Sequence, residues 1–569
     1  MPEDLNNKAS LTRRAFTAGA ITTAALGSGA CAPSDGEEYD YIVVGGGTAG
    51  CVLANRLSAD AKTRVLLLEA GGKGLSPYIH VPAAVGSAFR NPDLAWRYPT
   101  QPDPSRGGRV EDFPCGKTLG GGSAVNGMFF SRGQREDYDD WAALGNEGWS
   151  YDDLLPYFKR IETSEIGEDR LRGRSGPVSV SRLRSVHPLS PVFVKAAAEC
   201  GIPTIEDFNG ESHYGASLAQ VSQYKGWRDP ASRAYLLPTL LRNNLNIVTE
   251  ALAHRLTFDG RRCTGVVYGV GDKTVTAQAR REVVVSCGAI QSPKLLLLSG
   301  IGPADYLRAQ GIDVLTDLPG VGANLQEHPD VSTSAHVNVD TYNLIALSRL
   351  RMAAAILQWA AVGRGPATSP YSQAVAFFNT DTPGQRPNME ILFAPFAFVS
   401  VNTRTEAHYR GAVNFIPSLC RPKARGRVSL RSLDANDLPR IDISLLADED
   451  LPLLIAGCHM ARRLMTSDAF KPYVIDERLP GAEVQSDDEW IDFLRSSVFG
   501  GNHLVGTCKM GKDADAVVSP ELKVHGLENL RVIDASIIPN LISSHTNAIS
   551  FAIGEKGSDL LLGRPADAI

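Results

Sequence analysis

Asp40-Tyr41-Ile42-Val43-Val44-Gly45-Gly46-Gly47-Thr48-Ala49-Gly50 is the stretch on which the fold turns. Its first half is a short β-branched and aromatic run suited to a buried parallel strand. Its second half is a G-x-G-x-x-G turn set directly between that strand and residues 51–57, which read as a helix. Gly45 permits the tight turn, Gly47 lets the backbone approach a pyrophosphate, and Gly50 lets the helix pack against the strand. The exposed N–H groups where the helix begins, at Thr48 and Ala49, then face the phosphates. A second apolar run, Arg64-Val65-Leu66-Leu67-Leu68, ends at Glu69, 24 residues beyond Gly45. A carboxylate there holds ribose hydroxyls and repels a 2′-phosphate. Strand, glycines, helix, strand and acid in this order predict an α/β chain that opens with a Rossmann-like dinucleotide-binding unit. The motif alone does not separate FAD from NAD.

Outward from this stretch, 569 residues of 43% hydrophobic composition suffice for a large core and more than one structural unit. A net charge of −6 leaves no basic surplus to hold a phosphate backbone, so nucleic acid is not an expected partner. Nine scattered cysteines without C-x-x-C or a His/Cys cluster indicate neither a disulfide framework nor a metal site. Near the N-terminus, Ser10-Leu11-Thr12-Arg13-Arg14-Ala15-Phe16 leads into an Ala/Gly/Thr-rich stretch ending at Ala30, which resembles a twin-arginine export signal. Residues 1–37 are therefore expected to be signal and linker, and the product periplasmic or secreted. Cys31 leaves a lipid-anchored form open. No later stretch reaches eighteen apolar residues, so no stable membrane span is expected.

Further along, Gly116-Lys117-Thr118-Leu119-Gly120-Gly121-Gly122-Ser123-Ala124-Val125-Asn126 resembles the first signature of the glucose–methanol–choline (GMC) oxidoreductases. Residues 288–302, Gly-Ala-Ile-Gln-Ser-Pro-Lys-Leu-Leu-Leu-Leu-Ser-Gly-Ile-Gly, resemble the second. Within them Ser292 and Pro293 read as N-cap and first residue of an apolar helix that Gly300 ends. The resemblance runs from about residue 38 to residue 563. It implies FAD as cofactor, with Leu119, Gly120, Ser123, Val125 and Asn126 along the flavin, Asp534 and Ala535 toward the pyrophosphate, Ala253 at the adenine, and Thr546 beside the ring system. Some relatives carry a flavin-linked histidine where this chain has Val125, so the resemblance implies dissociable, non-covalent FAD.

Oxidising an alcohol requires loss of a hydroxyl proton and a carbon-bound hydride, and a neutral histidine suits the first. Of eleven histidines, His503 and His545 match the family's catalytic positions. The resemblance makes His503 the principal base and His545 the partner that orients the hydroxyl, with the roles open to exchange. His328 reads as a structural histidine, and Cys420 and Asn502 are expected to line the substrate side. The implied function is oxidation of a small-molecule alcohol, aryl or furanic primary alcohols being favoured, with oxygen or a quinone as electron acceptor. Two alternatives on the same scaffold are a hydroxynitrile lyase and a fatty-acid photodecarboxylase, the latter suggested by Cys420 beside Arg421.

The expected organisation is discontinuous. Residues 38–160, 230–330 and 500–563 build the FAD-binding domain, and residues 161–229 and 331–499 build a mixed-sheet, substrate-binding cap. Within the cap, residues 343–364 read as an apolar helix near the pocket entrance, engaged in packing.

Overall fold

The computed structural model describes residues 34–401 and 404–564; the arginine pair of the expected export signal lies outside the described residues. The run around Ile42 forms the strand Glu37–Val44, fully apolar and buried over its last four residues. It pairs in parallel with Val65–Leu68 on one side and with Lys273–Val285 on the other. Leu245–Val248 adds to the outer edge, and Leu530–Val532 lies parallel to the end of Lys273–Val285. Arg262–Val270 and Ala251–Asp259 continue the sheet as antiparallel strands. Five parallel strands thus end side by side at Val44, Leu68, Val248, Val285 and Val532. A ligand crevice belongs at that carboxyl edge.

The helix after the glycine turn spans Thr48–Leu57 and packs against the C-terminal helix Asn547–Leu562. The approach is close, since a Cβ on Gly554 would stand 3.0 Å from the Ala49 Cα. Arg56 and the buried Glu555 pair across the two helices at 2.7 Å. The second-signature helix begins at Gly288, not at Ser292, and carries Pro293 inside it. Its true start is fixed from far along the chain: Asp534 accepts the Gly288 amide at 2.8 Å and the Ser292 hydroxyl at 2.5 Å.

Above the crevice stands a second sheet, of eight strands, antiparallel throughout its described pairs. Its order is Val474–Leu479, Thr333–Val337, Ala412–Leu419, Met389–Ala394, Ala374–Phe378 and Gly215–Leu218. Pro329–Asp330 joins it beside Ala412–Leu419 and also pairs with Phe499–Gly500. That last pairing sets residues 327–330 against residues 499–503. The mixed pairing expected of the cap occurs in a smaller four-stranded sheet, where Glu162–Ser164 runs parallel to Val178–Arg182 and the remaining pairs are antiparallel.

Residues 343–364 depart from their expected packing role. They form Tyr342–Ala346 and Arg349–Val362, and in the second helix only Ala355 and Trp359 are buried. Leu350 is 85% exposed and Leu357 is 70% exposed. Apolar spacing identified the helix, but the pattern cannot say whether the core or something outside the chain receives its apolar face.

Candidate active site

Between the two sheets lies a cavity of about 2240 Å³. That is more than twice the upper end of ordinary ligand pockets, about 1,000 Å³, and leaves room for a dinucleotide together with a substrate. Gly45, Gly47, Thr48, Ala49 and Glu69 line it at the parallel-strand edge. Val125, Asn126, Ala253, Asp534, Ala535 and Thr546 line it further along. The glycines are spaced as a close-approaching ligand requires. A Cβ on Gly47 would meet only Ser286 O, at 3.9 Å, so its face is open, whereas one on Gly50 would collide with Gly45 O at 1.9 Å. Glu69 does more than face the cavity: its two oxygens accept the Gly46 and Gly71 amides at 2.9 and 2.7 Å and so brace the turn.

Four expected cofactor residues stand behind the wall: Gly50, Leu119, Gly120 and Ser123 are absent from the cavity lining. Ser123 is a loop anchor, donating to Gly120 O at 2.6 Å and accepting the Ala231 amide at 2.9 Å. Cys420 also departs from expectation. Its side chain is buried and does not line the cavity, while its carbonyl accepts from His328 Nε2 at 3.2 Å. Asn502 does line the cavity, in the left-handed conformation at φ 65° that turns the chain into His503.

His503 and His545, 42 positions apart, meet at a ring-centroid separation of 4.6 Å, edge to face, and both line the cavity. The pairing of Pro329–Asp330 with Phe499–Gly500 brings the first supporting groups beside His503. Glu327 accepts the His503 amide at 2.7 Å and the His328 amide at 2.8 Å. His328 Nδ1 lies 2.9 Å from His503 Nδ1, and its Nε2 faces the Cys420 and Ile542 carbonyls at 3.2 and 3.0 Å. On the other side, His545 lies against the Phe129 ring at 4.5 Å. Ser544 Oγ bridges His545 Nδ1, at 3.2 Å, and Glu390 Oε2, at 3.0 Å. Asp137 holds the loop through the Ser543 amide and hydroxyl, at 2.8 and 2.7 Å.

Burial governs the charge states. It pushes His328 down to about 4 and His545 to about 3, and with the neighbouring imidazoles it holds His503 well below the usual histidine range. The same burial raises Glu390 to about 8 and Asp330 to about 7, and lifts Glu327 well above ordinary carboxylates. Three neutral imidazoles beside acids that favour their protonated form can move a proton without creating a bare buried charge. Glu327, His328 and His503 bring ligand atoms within 4.8 Å of one another, but those atoms already bond each other and the amides of residues 328 and 503.

Sequence reasoning missed Glu327, Asp330 and Glu390 and gave His328 only a structural part. Glu390 carried a signal, being a lone acid in the otherwise apolar strand Met389–Ala394.

A dinucleotide-sized crevice at the carboxyl edge of a parallel sheet, closed over a neutral histidine pair, defines a flavin-dependent oxidoreductase acting on alcohols. The chain belongs to the GMC oxidoreductase family, its residues 39–330 and 422–554 matching the family's N- and C-terminal parts. It is 38% identical to an oxygen-dependent choline dehydrogenase of Brucella anthropi over 93% of this chain and 96% of that protein. It is 38% identical to an alcohol dehydrogenase [acceptor] of Pseudomonas putida over 92% and 96%. Among solved structures, pyridoxine 4-oxidase from Mesorbium loti superposes with a TM-score of 0.83 at 31% identity, covering 91% of this chain and 98% of that one.

Proposed function

We propose that the protein oxidises a primary alcohol to the aldehyde, with His503 Nε2 as the base. The observation that carries this is the hydrogen-bond chain behind His503. Carbonyl oxygens only accept, so His328 Nε2, facing two of them, bears its ring's proton. Neutral His328 then offers a lone pair at Nδ1, and His503 Nδ1 donates to it. This leaves His503 with a free lone pair on Nε2, in a ring that lines the cavity. On the opposite side Ser544 Oγ donates to Glu390 Oε2 at 3.0 Å and stands 3.2 Å from His545 Nδ1. His545, lining the cavity beside His503, is the partner that orients the substrate oxygen.

FAD would fit the crevice: among the lining residues, Gly45, Gly47, Thr48 and Ala49 would offer backbone to its pyrophosphate with Asp534 and Ala535, Ala253 would serve the adenine, and Asn126 and Thr546 the ring. When bound, it accepts the hydride from the carbinol carbon. Val125 offers no atom for a covalent link, which supports dissociable cofactor. The Phe129 ring beside His545 favours an aryl or furanic alcohol. A second reading, an alcohol bearing a cationic group, draws on Asp330, which lines the cavity with Oδ1 lacking a partner among the described residues, and on the likeness to a choline dehydrogenase. Oxygen or a quinone takes the electrons. The N-terminal segment supports export by the twin-arginine route.

Mixing the purified holoenzyme anaerobically with aryl, furanic and ammonium-bearing alcohols tests the proposal. Bleaching of the flavin with release of aldehyde is expected. Full absence of bleaching with every alcohol, alongside cleavage of a cyanohydrin, would point instead to a lyase.

A further inference from the structure

The helix Arg349–Val362 and its flanks concentrate exposed apolar side chains as no other segment does. Of the seventeen large hydrophobic residues exposed among the described ones, six lie between residues 347 and 362: Leu347, Leu350, Met352, Ile356, Leu357 and Val362. The same stretch forms part of the cavity wall, through Leu347, Met352, Ala355, Ile356 and Trp359. It therefore stands at the pocket mouth, with its outward face uncovered.

The charge around that face is one-sided. Residues 341–380 contain no aspartate or glutamate, in a chain that holds 63 of them. Arg349 and Arg364 bracket the helix without an acidic partner among the described residues, and Arg351 pairs with Asp340 at its exposed rim. At the C-terminal end the hairpin tip Tyr224-Lys225 closes against Gly363, Trp359 donating to Gly226 O at 2.8 Å. It adds a further cation and a half-exposed tyrosine.

We propose that this helix seats the pocket mouth on an anionic lipid surface. Among the described residues no helix is long and apolar enough to cross a membrane, so the contact is interfacial. The helix, about 21 Å long at 1.5 Å per residue, lies flat with its leucines below the headgroups. Arginine and lysine at its ends reach up to the phosphates. Two-fold pairing with a second copy is the less favoured occupant, because an isologous contact would set these cations against themselves. The inference does not depend on which alcohol is oxidised.

The test is co-sedimentation of the full-length holoenzyme with vesicles of phosphatidylcholine, with and without phosphatidylglycerol. Binding is expected to the anionic vesicles and to weaken with salt. Leu350→Ser/Leu357→Ser should lower it at least about tenfold. Neither leucine lines the cavity, so turnover of a soluble alcohol should persist and report an intact fold. Leu241→Ser, at a 94% exposed leucine elsewhere, should bind as the parent does. All three proteins share one N-terminal segment, so the difference reads the helix. No binding by the parent, equal binding by the double variant, or a dimer in sedimentation velocity that the double variant dissolves would each overturn the proposal.

Discussion

Glu390 shows how one side chain sets the chemistry of another. Its carboxyl is buried, reaches His545 through Ser544 and directly at 3.8 Å from Nδ1, and favours its neutral form up to about pH 8. Above that pH it ionises and sets a buried negative charge beside His545, where the developing alkoxide must be held. The kcat/KM of the parent enzyme is therefore expected to fall above about pH 8. Glu390→Gln, which still accepts from Ser544 and does not ionise, should remain flat there, while Glu390→Leu should lose about ten- to a hundredfold at all pH values. A pH profile of the three proteins measures this. On the acid side the imidazoles have folded-state values below 6.5, so the base stays unprotonated and activity should not decline at the ordinary histidine pKa. The histidine pair was legible because each ring sits in a recognisable local motif. Glu327, Asp330 and Glu390 were not, since the pairing of Pro329–Asp330 with Phe499–Gly500 and the strand Met389–Ala394 bring them to the pair from distant sequence positions.

The strand–glycine–helix unit owes its shape to clearances of a few ångströms. A Cβ at residue 50 would stand 1.9 Å from Gly45 O, backbone that cannot withdraw without moving the turn. Gly50→Ala is expected to leave the folded protein nearly free of flavin, read as the loss of absorbance near 450 nm per polypeptide. Asp534 performs a similar service between elements, joining Gly288, Ser292 and Ser536 through three hydrogen bonds. Asp534→Ala should cost about 3 kcal/mol of stability, at about 1 kcal/mol per bond, measurable by chemical denaturation of the apoprotein. These two elements differ in how the chain announces them. Glycines at fixed offsets after a β-branched run are a local signal. The start of the helix at Gly288 depends on an aspartate 246 residues away, and Ser292-Pro293 offered a plausible but incorrect start. The helix Arg349–Val362 was legible as a helix, whereas its exposed face depends on what surrounds it.

At the scale of the molecule, one sheet supplies the parallel-strand edge of the cavity and the other carries Asp330 and Glu390. In the proposed function the flavin would be held by shape and backbone at Gly45, Gly47 and Asn126, which line the cavity with Val125. Acid precipitation of the purified protein should thus leave the yellow colour in the supernatant; colour retained in the pellet would indicate a covalent bond.

The central claim, that His503 takes the alcohol proton, is tested most directly by anaerobic stopped-flow reduction of His503→Ala loaded with FAD. The variant is expected to bind flavin normally and to be reduced by alcohol about 10²–10⁴-fold more slowly than the parent. Reduction at the parental rate, with the flavin spectrum unchanged, would contradict the account.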